Sequence, residues 1–101
     1  MCIRDRLHLV RTSAFQTNDF EQCLNVVETS DTIVLLDDGC YNLSHELWQE
    51  ALNKITLTAL YIIEAHAQAR AVSIDKTKIN TLSLDALITL ICETEQSVTW
   101  Q

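Results

Sequence analysis

Apolar positions along the chain follow two alternating rhythms. Short, nearly continuous runs stand at Thr32–Leu36 (TIVLL) and Leu57–Ile63, and Leu7–Arg11 (LHLVR) and Ile79–Leu82 read as a first and a short fourth strand. Continuous runs of four to seven apolar, β-branched residues are the signature of strands buried on both faces, as in a parallel sheet. Between the runs the spacing changes to three and four. Phe20, Cys23, Leu24 and Val27 make one helical face, and Leu47, Trp48, Ala51, Leu52 and Ile55 a second. Leu84, Leu87, Ile88 and Ile91 make a third. Glu64–Ala71 is alanine-rich and predicts a short helix. Asn18 with Glu21 three residues on predicts a capping box, and Ser44 and Ser83 predict further N-caps. Val98-Thr99-Trp100 predicts an edge strand or a docked tail. Strands alternating with helices imply a single three-layer α/β domain, with a mainly parallel sheet of four to five strands and helices on both faces.

The first six residues break this pattern. Met1-Cys2-Ile3-Arg4-Asp5-Arg6 carries three charges, has no apolar stretch of signal-peptide type, and resembles a translated sequencing-adaptor fragment. The reading is a non-native leader at 1–6 and one domain at 7–101. No apolar run approaches the roughly 20 residues of a membrane span, so the expected location is cytoplasmic, without membrane partners.

Composition narrows the function. Seven basic and 14 acidic residues in 101 give −7, and without the leader the balance is 5 to 13. So acidic a chain lacks the basic face that phosphate backbones require, which argues against direct nucleic-acid binding. Cys2, Cys23, Cys40 and Cys92 contain no CxxC or zinc-type spacing, and read as free thiols. His8, His45 and His66 form no metal pair and no hydrolase order. No metal or cofactor is expected.

In parallel sheets, ligands meet the loops at the carboxyl ends of the strands. The loop after the second run, Asp37-Asp38-Gly39-Cys40-Tyr41, holds the only glycine of a chain without proline. That glycine is expected where φ is positive or where backbones pass closely. The two carboxylates suit a turn with Asp bonding its own backbone, with Mg²⁺ binding as the alternative. No Gly-rich cradle or phosphate-facing lysine accompanies them. Cys40, in this loop, is expected to be exposed, with acidic neighbours opposing its thiolate. Cys23 lies on an apolar helix face, away from the N-terminus, and suits a core thiol. Trp48 and Trp100 suit core packing or a partner interface.

Taken in order, Leu7-His8-Leu9-Val10-Arg11-Thr12-Ser13-Ala14-Phe15, then Asp31-Thr32-Ile33-Val34-Leu35-Leu36-Asp37-Asp38-Gly39-Cys40-Tyr41, and the terminal Val98-Thr99-Trp100 resemble the DsrH/TusB family. This is the small-subunit family of the DsrEFH and TusBCD sulfur-relay complexes, and the resemblance spans Leu7 to Trp100. Ala14 departs from it, standing where the family usually has proline.

The resemblance implies a DsrE/DsrF/DsrH-like fold and a heterohexamer with homologous TusC/DsrF-like and TusD/DsrE-like subunits. TusA-like and TusE-like carriers would pass sulfur through the complex. In the TusBCD branch the product is 2-thiouridine at the tRNA wobble position, and the sulfur-accepting cysteine belongs to the D/E subunit. The B/H subunit would then be mainly structural, not catalytic, with Asp37, Asp38, Gly39, Tyr41 and Trp100 as its structural or interface motif. The alternative is a DsrH-like subunit of a sulfur-oxidation complex. Some DsrH-type members carry a cysteine on the first helix, and Cys23 falls there as a persulfide carrier.

Overall fold

A computed structural model of the chain describes residues 6–101. Of the leader read in the sequence, residues 1–5 lie outside the described residues, and Arg6 opens the first strand. Five strands, β1 (Arg6–Val10), β2 (Thr32–Leu35), β3 (Leu60–Ile63), β4 (Asn80–Leu82) and β5 (Gln96–Trp100), form one sheet in the order β4-β3-β2-β1-β5. Every pairing is parallel, with Leu7 opposite Thr32 and Ser97, and Ile33 opposite Leu60. The helices are α1 (Asp19–Val26), α2 (Trp48–Lys54), α3 (Glu64–Ala69) and α4 (Leu84–Glu93). Two 3₁₀ segments, Asp37–Ser44 and Leu57–Ala59, precede α2 and β3.

The strand order explains the layering. The first three crossovers step the same way across the sheet, and the right-handed rule puts their helices on one face. The last crossover runs from β4 back past β1 to β5, so the same rule sends α4 to the other face. The two sides of the core follow this division. Phe20, Cys23 and Leu24 of α1, Trp48 and Ala51 of α2, and Ala67 of α3 pack on Val10, Ile33, Leu35, Leu60 and Ile62. Leu87 and Leu90 of α4 pack on Leu7, Val34 and Ile63. Successive residues of a strand point to opposite faces, so the central runs of β2 and β3 are apolar nearly throughout to supply both layers.

Local signals succeeded where one bond could satisfy them. Ser83 caps α4, its Oγ accepting from Ala86 N–H at 3.1 Å. The other two caps differ from expectation. Asn18 makes no side-chain cap, and the Asp19 carboxylate instead accepts from Thr12 Oγ1 at 2.9 Å. Ser44 closes the 3₁₀ segment by donating to Tyr41 O at 3.0 Å, and α2 starts only after His45 Nδ1 has accepted from Leu47 N–H. The third strand begins at Leu60, because Leu57–Ala59 winds into a 3₁₀ turn.

The face of α4 also differs. Leu87 and Leu90 are buried, whereas Leu84, Ile88 and Ile91 are 48%, 61% and 36% exposed. The apolar arc of this helix is wider than one sheet contact, and the sheet takes only its Leu87/Leu90 flank.

Candidate functional site

The loops after β1, β2 and β3 meet at the carboxyl edge of the sheet because those strands are parallel neighbours. At their centre is Gly39. Its backbone lies against β1: a Cβ built there would stand 1.9 Å from Val10 O and 2.8 Å from Val10 C. Val10 O accepts from Leu36 N–H at 3.1 Å, and Leu36 O accepts from Gly39 N–H at 2.9 Å. Close approach therefore explains the lone glycine. The positive φ of this turn falls instead on Asp37, at 51°, a conformation that Asp tolerates better than most side chains.

Each of the paired carboxylates is engaged by a guanidinium. Arg11 Nε donates to Asp37 Oδ2 at 2.7 Å, and Arg70 Nε donates to Asp38 Oδ1 at 2.9 Å. The Asp37 N–H donates to His66 Nδ1 at 3.0 Å, which places that ring's proton on Nε2. Arg11 stems from the end of β1, and His66 and Arg70 from α3, so the two acids staple three loops together. With partly exposed side chains, such pairs contribute up to about 1 kcal/mol each. Their greater effect is to hold the turn in register. Among the described residues no group of three or more His, Cys, Asp or Glu side chains could hold a metal ion.

Asn42 completes the arrangement, and nothing in the sequence singled it out. Its side chain is fully buried. Oδ1 accepts from Ala14 N–H at 2.7 Å and Nδ2 donates to Thr12 O at 3.0 Å. This two-point clamp fixes the Thr12–Thr17 loop, with further support from Ser13 O, which accepts from Gln16 and Thr17 N–H. The loop is thus held by hydrogen bonds on both sides of Ala14. Phe15 at its tip is 62% exposed and meets His45 edge-on at 4.6 Å. Beside it Tyr41, partly exposed, lines an open groove of about 400 Å³ with Leu43, Arg70, Val72 and Lys78.

Among the described residues the cysteines are not at this surface. Cys23 is fully buried in the α1 layer, and burial first, then the nearby Asp31 carboxylate, pushes its thiol up to about 12, against a smaller lowering by Arg6. Cys40 is also fully buried, which corrects the expectation of an exposed loop thiol. The 3₁₀ winding turns its side chain inward, where Sγ lies 3.9 Å from Leu35 O. Burial pushes this thiol up to about 11, with Arg70 lowering it and Asp37 and Asp38 raising it. Cys92 on α4 is exposed.

Trp100 stands apart from the turn. Its Nε1–H donates to His8 Nδ1 at 3.1 Å, and His8 Nε2 donates to Asp31 Oδ2 at 2.9 Å. Asp31 also accepts from Glu28 N–H and pairs with Arg6 at 3.1 Å. Burial alone would raise the Asp31 carboxyl, but Glu28 N–H, His8 and Arg6 together hold it below its ordinary value. An indole–imidazole–carboxylate chain, fully buried at His8 and Asp31 and half-buried at Trp100, thus ties β5 to β1 and to the start of β2. His8 is the middle of that chain, a structural role.

The site residues therefore fall into three places: Asp37, Asp38, Gly39 and Tyr41 at the sheet edge, Trp100 over β1, and Cys23 in the core. No curated protein matches the chain significantly. A family model described as DsrH like protein matches residues 12–97. That match covers both edge loops, all four helices and most of the sheet, and the chain belongs to the DsrH-like family.

Proposed function

We propose that this chain is a TusB-like subunit of a cytoplasmic sulfur-relay complex. Family membership supports a sulfur-relay-related subunit that works with DsrE- and DsrF-like subunits. The finer reading is ours. The chain joins TusC/DsrF-like and TusD/DsrE-like subunits in a heterohexamer that passes persulfide sulfur from a TusA-like donor to a TusE-like acceptor. The end use is 2-thiouridine at the tRNA wobble position. In this reading the chain shapes and completes the complex while a partner carries the sulfur.

The observation that carries the supporting role is the state of Cys23 and Cys40, the thiols of the first helix and of the edge turn, whereas Cys92 on α4 is exposed. Persulfide transfer needs an accessible thiolate to attack the donor sulfur. Cys23 and Cys40 are both fully buried, with thiols pushed up to about 12 and about 11. The edge loops are internally clamped, as suits a rigid template. The acidity of the chain is consistent with reaching tRNA only through protein partners.

Co-expression with DsrE- and DsrF-like subunits tests the assembly: a stable hetero-oligomer is expected, and a chain that ignores both refutes it. Loading that complex with a labelled persulfide donor and mapping the sulfur by mass spectrometry tests the role. Sulfur on the DsrE-like subunit, unchanged by Cys23→Ser, is expected. Sulfur on Cys23, lost in the variant, would instead establish the carrier role of a sulfur-oxidation subunit. Restoration of wobble thiolation in cells lacking the relay separates the two branches.

A further inference from the structure

The two faces of the sheet are covered unequally. One carries α1, α2, α3 and the long 3₁₀ segment, the other α4 alone. Five strands at about 4.8 Å spacing span roughly 19 Å between the outer strands, whereas a helix with its side chains is about 10 Å across. One helix cannot roof that face. Leu9, Leu36, Tyr61 and Leu82 are accordingly only half-buried beside it. The helix adds apolar surface of its own. At about 100° per residue, Ile91, Leu84 and Ile88 continue the arc begun by the buried Leu90 and Leu87. They stand 36%, 48% and 61% exposed. Single exposed apolar residues are ordinary, but a contiguous apolar stripe on one helix marks a contact surface.

Charge says what kind of contact. From Ile79 to Gln101 the chain has no lysine or arginine, and its charged side chains are Asp85, Glu93 and Glu95. This segment supplies α4 and both edge strands, and at about 100° per residue Asp85 flanks Ile88 while Glu93 falls opposite Leu84, so the stripe is bordered by an acid with no cation from the helix or the edge strands. A second copy docked through the same stripe would set acid against acid. An anionic membrane surface would be repelled likewise. A basic border opposite this acid would be attracted and steered into place.

We propose that the Leu84–Ile88–Ile91 side of α4 seats a partner protein whose own apolar contact is bordered by lysine and arginine. A second copy of this chain does not fill it. The inference deepens the reading of the chain as a relay subunit and rests on it, since it names the surface and the partner chemistry used in assembly.

The structure supplies a reporter. Cys92 is exposed one helical turn beyond Ile88, while Cys23 and Cys40 are buried. The full chain is co-expressed with the DsrE- and DsrF-like subunits, treated with N-ethylmaleimide, and the Cys92 peptide is followed by mass spectrometry. Expected are rapid labelling of Cys92 in the free chain and protection in the complex. Ile88→Glu, at an already exposed position, should weaken assembly about tenfold or more with unchanged circular dichroism and melting. Asp85→Lys should weaken assembly and flatten its dependence on salt, whereas Glu93→Lys, on the opposite side of the helix, should change it little. A complex that leaves Cys92 labelled at the free rate and tolerates Ile88→Glu overturns this inference while leaving the subunit reading intact. A homodimer in sedimentation that Ile88→Glu dissolves also overturns it. Failure of the subunits to assemble at all removes the subunit reading and this surface with it.

Discussion

Replacing Gly39 by alanine tests the seam between the edge turn and β1. Gly39 is not among the residues with positive φ, so the substitution carries no penalty from the left-handed region, and the whole effect is steric. The new methyl carbon would start 1.9 Å from Val10 O. Ordinary contact at about 3.4 Å requires the two backbones to part by about 1.5 Å. The oxygen in its way is the one that accepts from Leu36 N–H, and Gly39 N–H itself bonds Leu36 O. Losing or weakening two backbone hydrogen bonds costs about 1 kcal/mol each, and forcing an extra carbon into a packed site adds about 1–3 kcal/mol. The sum is about 3–5 kcal/mol. In urea, with a slope of about 1.5 kcal/mol per molar, the unfolding midpoint should fall by about 2–3 M. Gly39→Ser should fall by a similar amount, because the same Cβ is responsible. A Gly39→Ala midpoint within about 0.5 M of the parent, measured with an unchanged slope, would refute the close-approach account.

Further expectations follow from other parts of the chain. Ala71 sits at φ 55° just past α3, where Val72 N–H bonds Ala67 O and Ala71 N–H bonds Gln68 O, the pattern of a helix end that favours glycine. Ala71→Gly should therefore raise stability by up to about 1 kcal/mol in denaturant titration, against the usual loss when glycine replaces alanine; a loss would contradict that geometry. Asp31→Asn removes the charge that His8 and Arg6 share and should cost about 2–4 kcal/mol at neutral pH. Because the Asp31 carboxyl is held below its ordinary value in the fold, its contribution is full above the unfolded value of about 3.9 and is lost as pH falls through the folded one. The gap between parent and variant should thus close below about pH 4, and a gap constant with pH would count against the buried chain. Under native conditions, N-ethylmaleimide should label Cys92 while sparing Cys23 and Cys40 until denaturant is added; native labelling of Cys23 would remove the thiol argument for a supporting role.

The parallel sheet was legible because both its faces had to be filled, and so Thr32–Leu36 and Leu60–Ile63 could not alternate with polar residues. Gly39 was legible as a singular position, and its reason emerged only with β1 beside it. What stayed hidden depended on contacts far apart in sequence. Asn42 reads as one polar residue among several, and only the return of residues 12–14 gives its amide two partners. Cys40 reads as a loop thiol until the 3₁₀ winding turns it inward. The buried flank of α4 could not be chosen from its own residues, because its apolar arc exceeds what the sheet covers. The arginine partners of Asp37 and Asp38 stand just past the ends of β1 and α3, which only the strand order makes neighbours.

The bond between Trp100 and His8 joins residues 92 positions apart. Until β5 arrives, β1 has β2 on one side and an open row of peptide groups on the other. With the first four strands paired, residues 83–95 are the connection left to close, and the docked strand and its indole offset that entropic cost. Sheet completion is therefore expected to follow the pairing of the first four strands. Before it, β1 is a template on which any extended chain can pair. Crowded refolding should thus aggregate through this strand, and agents that hasten β5 docking should raise yield without altering the final stability.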